Sequence, residues 1–287
     1  MKDVRTTTTM MRAVGLLGAF ACAVACVGCV PRASGAAPGG GGDRSAAGRT
    51  VLVELFTSQG CSSCPAADAF VRDFPRLGLG RDRVVPLTFH VDYWDDLGWK
   101  DPFASKAFTD RQRHYADLGR LRSPEGEDGL QGIYTPQMVV DGAVHFSGRR
   151  RDVALKEIRK AAAAPGLVDL DGQAMLHGDQ AQVAVRLTAR TAEAFAQPWR
   201  LFVVVAARSA RTHVTHGENS GDTLEEAAVV RSLSEPVRIA SAPAEPITIT
   251  VTKPADLPWS ALELDAVLAS ESSWQVGAVR AIGLPTL

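Results

Sequence analysis

The amino-acid sequence predicts an α/β domain over residues 49–164, followed by an all-β, sandwich-like domain over residues 165–287. Two observations predict this fold class. In the first segment, apolar runs rich in strand formers alternate with stretches of helical periodicity, which is typical of α/β folds. In the second segment, short alternating runs follow one another, separated by Pro and Gly, as in β-sandwiches. A chain of 287 residues has room for two such domains.

The first 29 residues predict a signal peptide that is not part of the fold. Basic residues precede an apolar run of small side chains at 13–27, which is too short for a comfortable membrane span. Residues 30–48 are rich in Gly, Ala, Ser and Pro, and this composition predicts a flexible linker. The folded part therefore starts near residue 49.

The end of the apolar run resembles a bacterial lipoprotein processing box, in which a small residue precedes a Cys that becomes lipidated. Gly28 precedes Cys29 here, so the resemblance implies a lipid on Cys29 and a tether to the membrane. Cys26 is an alternative lipidation site, and an ordinary signal peptidase would instead release a secreted protein. Each alternative places the folded part outside the cytoplasm, in the periplasm or cell envelope.

Cysteine usage singles out one pair. Of the five cysteines, only Cys61 and Cys64 lie beyond the signal region, and an exported protein meets conditions in which disulfides persist. The pair follows a predicted strand at 50–56 and a turn at 57–60. Pro65 then fits the first turn of a helix. We therefore expect a Cys61–Cys64 disulfide at a strand-to-helix junction.

The rest of the first segment predicts three more strands, a closing helix and an insert. Asp141-Gly142 is a strong hairpin signal between the last two strands. The strands span 83–91, 134–140 and 143–147, the helix spans 151–163, and the helical insert covers about 92–131.

The position of the cysteine pair, between a strand and the start of a helix, suits redox chemistry. The thiolate is the species that attacks disulfides, and a helix N-terminus stabilises a thiolate through its N–H groups and dipole. Cys61, with an exposed sulfur just ahead of the helix, is the expected nucleophile, and Cys64 would resolve the mixed disulfide. The alternative is a static disulfide that closes a tight turn.

The order of strand, Cys-Ser-Ser-Cys, helix and strand, then Thr135-Pro136, two strands and a helix, resembles the thioredoxin superfamily. Longer stretches are similar to a family of bacterial secreted thioredoxin-like proteins known as DUF1223. These stretches are 53–65, 89–94, 97–103 and 134–142. The resemblance implies a thioredoxin-like fold for the first domain.

The resemblance also implies roles for three further residues. Thioredoxin-like sites place a cis-proline beside the reactive Cys, which implies a cis Pro136 and a Thr135 backbone that pairs with an extended substrate. An ordinary trans proline at a strand start is the alternative. Thioredoxins often carry a buried carboxylate as proton acceptor for the resolving Cys, and Glu54 takes that place. The alternation with its neighbours could equally turn Glu54 toward solvent.

An aromatic and acidic segment follows the strand at 83–91. Its composition predicts a lid or substrate wall, and the alternative is a structural loop that caps the insert helix near 103–118. The substrate-groove candidates are His90, Asp92, Trp94 and Trp99. No metal is predicted, because no second His or Cys has ligand spacing beside His90. Basic residues on the insert helix, Arg111, Arg113 and His114, are interpreted as a solvated face.

The second segment carries no recognisable chemistry. Its clearest strands are 181–188, 199–207, 227–233, 247–252, 262–269 and 275–282. A polar stretch at 213–219 contains two histidines, and ordinary loop polarity explains it more simply than a metal site. We expect this domain to bind a partner or to pack against the redox domain.

These features predict an extracytoplasmic thiol–disulfide oxidoreductase that needs no cofactor. Its partners would be exported protein thiols or disulfides and a redox partner protein. The rival interpretation is a non-catalytic envelope scaffold with a structural disulfide. An accessible Cys61 favours the first interpretation, and a buried sulfur favours the second. The net charge of −1 gives no basic field for nucleic acid, and no nucleotide loop or hydrolase triad is present.

Overall fold

Strands and helices alternate in the first part of the chain, as the sequence predicts. The computed structural model describes residues 48–124 and 130–285. The predicted signal peptide, the linker up to residue 47 and the lipidation sites Cys29 and Cys26 lie outside these residues. The elements are β1 (Val51–Thr57), α1 (Pro65–Arg72), β2 (Val84–His90), α2 (Lys106–Leu118), β3 (Gln137–Val140), β4 (Val144–Ser147) and α3 (Arg151–Ala163). Short 3-10 turns lie at Phe74–Leu77 and Asp95–Leu97.

Strands dominate the remainder. They are β5 (Val168–His177), β6 (Gln180–Ala189), β7 (Trp199–His213), β8 (Thr223–Leu233), β9 (Val237–Ile239), β10 (Ile247–Thr252), β11 (Leu262–Ser270) and β12 (Val276–Ile282). The six predicted strands of this part are confirmed, whereas β5 and β9 were not predicted. A 3-10 turn at Trp259–Ala261 precedes β11. No helix among the described residues is long and apolar enough to cross a membrane.

The predicted fold class is wrong. We expected a thioredoxin-like α/β domain beside a separate all-β sandwich, but strands from both parts of the chain join in one mixed sheet of nine strands. Its order is β12-β11-β7-β8-β2-β1-β3-β4, with β9 paired to β7. The join is a parallel contact between β2 and β8, at Thr88 and Val229. A second sheet has three strands in the order β10-β6-β5.

Packing explains why the two parts of the chain share one sheet. A single apolar cluster lies on the α2 side, and it draws side chains from β1, β2, β7 and β11 together. Its members include Phe56, Leu87, Phe202, Val204 and Val267, with Phe108 and Tyr115 from α2. Burying such a surface is the main favourable term in folding, so one α2-covered core holds strands that are far apart in sequence.

The opposite face is covered by other elements. Around β1, alternate residues such as Val53 and Leu55 pack against α1 and α3. Around β7 and β11, alternate residues such as Val203 and Leu264 pack against the three-stranded sheet, as in a sandwich. Strands β1 and β2 are buried along their whole length because both of their faces are covered.

Candidate functional site

The predicted cysteine pair is disulfide-bonded and lies at the start of α1. Cys61 and Cys64 form a disulfide with their Cα atoms 5.4 Å apart. Cys64 is the N-cap residue, and its carbonyl accepts hydrogen bonds from the N–H groups of Ala67 at 2.8 Å and Asp68 at 3.1 Å. Pro65 follows at the first helical position, where its missing N–H costs nothing. The strand, turn and helix thus hold the pair as the sequence predicts.

Burial of the pair differs from the expectation. Cys61 is 1% exposed and Cys64 is fully buried, so the sulfur of Cys61 does not lie open to solvent. Ser62 between them is exposed. The hydroxyl of Ser63 lies 3.3 Å from the sulfur of Cys61. The loop that covers Cys61 lies far from it in sequence, between β7 and β8.

This loop comprises residues 214–222, between β7 and β8, and is called the cap loop below. The Glu218 carboxylate accepts a hydrogen bond from the backbone N–H of Ser62 at 2.9 Å. The side-chain amide of Asn219 donates to the carbonyls of Gln59 at 2.8 Å and Cys61 at 3.1 Å. Asn219 is itself buried. The cap loop therefore holds the backbone on both sides of Cys61.

A group of buried titratable side chains lies beside the cysteine turn, on the α1 face of the sheet. This acid–histidine cluster comprises Asp68, His90, Asp101 and Glu226, each less than 5% exposed. His90 Nδ1 lies 2.7 Å from Asp101 Oδ2, and His90 Nε2 lies 3.8 Å from Glu226 Oε1. The hydroxyl of Thr57 donates to Asp68 Oδ2 at 3.1 Å.

Gln59 joins this cluster to the cysteine turn and the cap loop. Its backbone N–H donates to Asp101 at 2.8 Å, and its side-chain amide donates to Glu226 at 2.9 Å. Its side-chain oxygen accepts from the indole N–H of Trp99 at 3.2 Å. Because Gln59 lies two residues before Cys61, any movement of the cysteine turn is coupled to the cluster.

Burial and mutual charge shift the pKa values within the cluster. Burial, reinforced by the negative charge of Glu226, raises the pKa of Asp68 to about 8. Burial opposes protonation of His90, but Asp101 and Glu226 outweigh it and raise the pKa of His90 to about 9. Burial also raises the pKa of Glu226. Burial acts in the same direction on Asp101, but the neighbouring His90 outweighs it and lowers the pKa of that carboxyl.

Three polar atoms of the cluster are buried without a hydrogen-bond partner among the described residues. They are Asp68 Oδ1, His90 Nε2 and Glu226 Oε1. An unsatisfied buried polar atom typically costs about 1–3 kcal/mol, so stability alone does not account for this arrangement. At neutral pH, Asp68 retains a proton one helical turn after Cys64 and is poised to exchange it.

Glu54 does not join the cysteine pair. It lies on β1, but its side chain points to the α2 face together with Leu52 and Phe56, whereas α1 packs on the other face. The Arg111 guanidinium donates to Glu54 Oε1 at 2.7 Å, and the Tyr115 hydroxyl donates to Oε2 at 2.5 Å. These three residues are called the Glu54 cluster below. Glu54 is buried, but its partners on α2 hold it away from the site.

Pro136 and Thr135 lie beside the cysteine helix. The Thr135–Pro136 peptide bond is cis, as predicted. A Cβ added at Gly148 would come within 3.1 Å of both Pro136 and Ala67 of α1, which shows how closely the proline approaches that helix. The Thr135 hydroxyl accepts a hydrogen bond from the indole N–H of Trp94 at 2.8 Å.

Some residues of the aromatic and acidic segment belong to the site, and others support α2. His90 belongs to the acid–histidine cluster, Trp99 bonds to Gln59, and Trp94 bonds to Thr135. Asp92 instead pairs with Thr109 on α2, and Ser105 caps the N-terminus of that helix. The segment is therefore partly a site wall and partly the structural support of α2. In the described part of the chain, no three His, Cys, Asp or Glu residues are placed to hold a metal ion.

Comparison with known proteins identifies the family. The family model described as a protein of unknown function, DUF1223, matches residues 52–268, which is well over half of the chain. The chain belongs to the DUF1223 family. No curated protein matches it.

Solved structures resemble this DUF1223 protein in fold. A crystal structure of an Agrobacterium tumefaciens protein is 25% identical, with a TM-score of 0.60, over 84% of this chain and 97% of that one. HBP35 of Porphyromonas gingivalis is 13% identical, with a TM-score of 0.57, over 82% of this chain and 74% of that one. A domain of the outer membrane lipoprotein Omp28 from the same organism reaches a TM-score of only 0.29, which supports no inference.

Sequence reasoning missed six residues of the site in this DUF1223 protein, which are Gln59, Asp68, Asp101, Glu218, Asn219 and Glu226. Asp68 had a usable signal, because it lies four residues after Cys64 and therefore on the same side of a helix. No sequence pattern indicated Gln59, Asn219 or Glu226, since their roles depend on which strand lies beside β2. Arg111 was assigned to a solvated face, and that interpretation is wrong, because its side chain is only 11% exposed and pairs with Glu54.

Proposed function

We propose that this protein carries out thiol–disulfide exchange on exported proteins through Cys61 and Cys64. The observation that carries the proposal is a disulfide at a helix N-terminus with a protonated, buried carboxyl one turn away on the same helix. A purely structural disulfide gives no reason to bury Asp68, His90 and Glu226 with unpartnered polar atoms. Perturbed titratable groups of this kind concentrate at functional sites.

The exchange reaction runs through a mixed disulfide. In the reduced protein, the Cys61 thiolate attacks a substrate disulfide, bonds to one sulfur and releases the other as a thiolate that takes up a proton. The Cys64 thiolate then attacks Cys61 and releases the second substrate thiolate. The substrate gains two electrons, and the protein is left with its Cys61–Cys64 disulfide. Oxidation of a substrate dithiol follows the same steps in reverse.

The surrounding residues fit these steps. The N-terminus of α1 stabilises negative charge at the pair, which favours the thiolate over the thiol. Asp68, whose pKa is about 8, supplies or accepts a proton near neutral pH. Access requires movement of the cap loop, whose Glu218 and Asn219 side chains hydrogen-bond to the turn around Cys61. Pro136 and Thr135 would line the substrate side.

An extracytoplasmic location is part of the proposal, with a lipid tether at Cys29 or, alternatively, at Cys26. Its support is the basic and apolar N-terminal pattern, the linker composition and the restriction of cysteines beyond residue 29 to the pair Cys61 and Cys64. A folded part with one cysteine pair suits a compartment where disulfides persist.

Burial of Cys61 favours a second candidate function. A cysteine that is 1% exposed under a hydrogen-bonded loop is also what a non-catalytic envelope scaffold would show. In that case the disulfide fixes the turn to which the cap loop binds.

The reduction potential of the pair separates the two functions. We expect equilibration of the exported chain with glutathione buffers to give roughly −120 to −270 mV, the range of known exchange catalysts. A value well below about −300 mV would mark a structural bond and would reject exchange. Two matched variants add a direct readout: Cys64→Ser should trap glutathione on Cys61, whereas Cys61→Ser should trap far less on Cys64. Equal trapping would remove Cys61 as the attacking residue.

A further inference from the structure

We infer that a second site, separate from the cysteine pair, binds a small organic anion with an apolar ring or chain. A cavity of about 570 Å³ lies between α2 and the ends of β7 and β8. This volume is in the range of small-molecule sites. The lining residues that matter here are Phe108, Arg111, His114, Arg200, Phe202 and Trp274. The cavity lies on the α2 face of the sheet, away from the α1 face that carries the cysteine pair.

Trp274 forms the aromatic wall of this cavity. Its backbone φ is +59°, a left-handed conformation that is uncommon for a bulky residue. The conformation lets its ring pack against His114 at 3.9 Å and Tyr115 at 5.4 Å, measured between ring centroids. Phe108 and Phe202 contribute further apolar surface. The wall suits the apolar body of a ligand.

Arg200 supplies a positive charge that has no carboxylate partner in the described part of the chain. Two other arginines of the lining are paired, Arg111 with Glu54 and Arg231 with Asp256. Among the described side chains, none carries a carboxylate within ion-pair distance of Arg200, whose guanidinium lies 5.2 Å from the centre of the Trp274 ring. An arginine held over an aromatic wall offers a planar, two-pronged donor for a carboxylate.

The neighbours of Arg200 make its position costly in the absence of an anion. Directly opposite it across the β7–β9 ladder is Arg238, and like charges in opposed positions destabilise a sheet. Arg238 has Glu271 as its partner. Burial, together with the charge of Arg200, lowers the pKa of His114, which is therefore neutral at pH 7. Of the acidic residues in the lining, Asp110 pairs with Lys106, and Glu235 is exposed at the rim.

With Arg200 as the unpaired cation among the described lining residues, the apolar wall selects a ligand with a single negative group. A neutral apolar molecule would leave Arg200 unpaired beside it, and a polyanion would exceed the charge available. The occupant we infer is a small monocarboxylate with an aromatic or aliphatic body. Nothing in this inference depends on the redox proposal, because none of the six residues contacts the cysteine pair.

The test uses 1-naphthoate and its uncharged analogue, 1-naphthalenemethanol, titrated into the exported chain by calorimetry. We expect naphthoate to bind at least about tenfold more tightly, because hydrogen bonds to charged groups contribute more than neutral ones. Arg200→Gln should abolish this preference and leave binding of the alcohol unchanged. The control is Arg186→Gln, which removes an exposed arginine on β6, in the other sheet, and should change neither affinity.

Each possible result either supports or overturns the inferred anion site. A preference for naphthoate that survives Arg200→Lys but not Arg200→Gln supports the site. Equal binding of acid and alcohol, or no binding of either at millimolar concentration, overturns it. A preference that persists in a folded Arg200→Gln variant places the anion elsewhere and also overturns the inference. If Arg200→Gln does not fold, as judged by circular dichroism, Arg200→Met replaces it as the variant that removes the charge, and a preference that persists in that folded variant overturns the inference.

Discussion

Two buried polar clusters lie on opposite faces of the same central sheet, and they differ in how completely their polar atoms are hydrogen-bonded. In the Glu54 cluster, each carboxylate oxygen accepts a hydrogen bond, one from Arg111 and one from Tyr115. In the acid–histidine cluster, Asp68, His90 and Glu226 each keep one buried atom without a partner among the described residues. Every carboxylate oxygen of the first cluster is satisfied and the second cluster keeps unpartnered atoms, so we assign a structural role to the first and propose a chemical role for the second.

The contrast also concerns charge. Burial raises the pKa of Asp68 to about 8, so this carboxyl is protonated at neutral pH. Burial would lower the pKa of Arg111, but Glu54 outweighs it and raises the pKa, so the arginine keeps its charge. A closed ion pair resists a change of protonation, whereas an open cluster allows it.

Breaking the Glu54 cluster should cost the most stability. Glu54→Gln leaves the Arg111 charge buried without its partner, and removal of one member of a buried pair typically costs about 3–5 kcal/mol. Asp68→Asn is the matched comparison, because it replaces a neutral acid with a neutral amide of the same shape. We expect it to raise rather than lower the free energy of unfolding at pH 7, because the unfolded Asp68 has lost the proton that the folded one must keep, whereas Asn has none to lose. Urea denaturation of both variants measures the difference. Equal losses would remove the distinction between the clusters.

Stability should fall as the pH rises from 6.5 to 9. Asp68 has an ordinary pKa of 3.8 and a folded pKa of about 8, and His90 has values of 6.5 and about 9. Both groups therefore hold a proton in the fold over a range in which the unfolded chain has lost it. Their contribution is largest at low pH and is lost as the pH rises through the folded values.

Thermal melts at several pH values check this expectation. We expect the Tm to drop by roughly 5 °C between pH 6.5 and 9. Asp68→Asn, which does not titrate, should reduce the drop below pH 8 and leave the part that belongs to His90. A Tm that rises over this interval would contradict the sign that we assign to both groups.

The smallest effect on stability concerns the cap loop. Asn219→Ala removes two hydrogen bonds to the cysteine turn and should cost only about 1 kcal/mol. It should nevertheless speed reduction of the Cys61–Cys64 disulfide by dithiothreitol at least severalfold, because the bond becomes accessible more often. Ser220→Ala is the control, since the Ser220 hydroxyl donates to the backbone carbonyl of Thr215 within the loop. An unchanged reduction rate in Asn219→Ala would show that this loop does not control access.

Local features of the fold were predictable from the sequence. The apolar run of β1, the turn, Pro65 and the following helix depend on neighbouring residues only, and they place the cysteine pair correctly. The Asp141-Gly142 signal likewise produces the hairpin between β3 and β4. Each of these features is set by contacts that are short in sequence, so local pattern is enough to specify it.

The pairing of β2 with β8 was not predictable in this way. Periodicity indicates that a strand is buried but not which strand lies beside it. One signal did exist: residues 201–207 of β7 are apolar without alternation, which is typical of a strand covered on both faces, and the structure buries all of them. The same ambiguity misplaced Glu54, because a strand buried on both faces gives no indication of which face each side chain joins.

The distance along the chain between the cysteine turn and its cap has a consequence for the order of folding. Asn219 follows Cys61 by 158 residues, and the Thr88 contact to β8 spans 139 residues. Contacts of such high contact order form late, because a long loop must close first. A chain that emerges N-terminus first exposes both thiols before the segment that shields them exists. The disulfide between them therefore forms while both sulfurs are exposed to solvent, and completion of the sheet buries it afterwards.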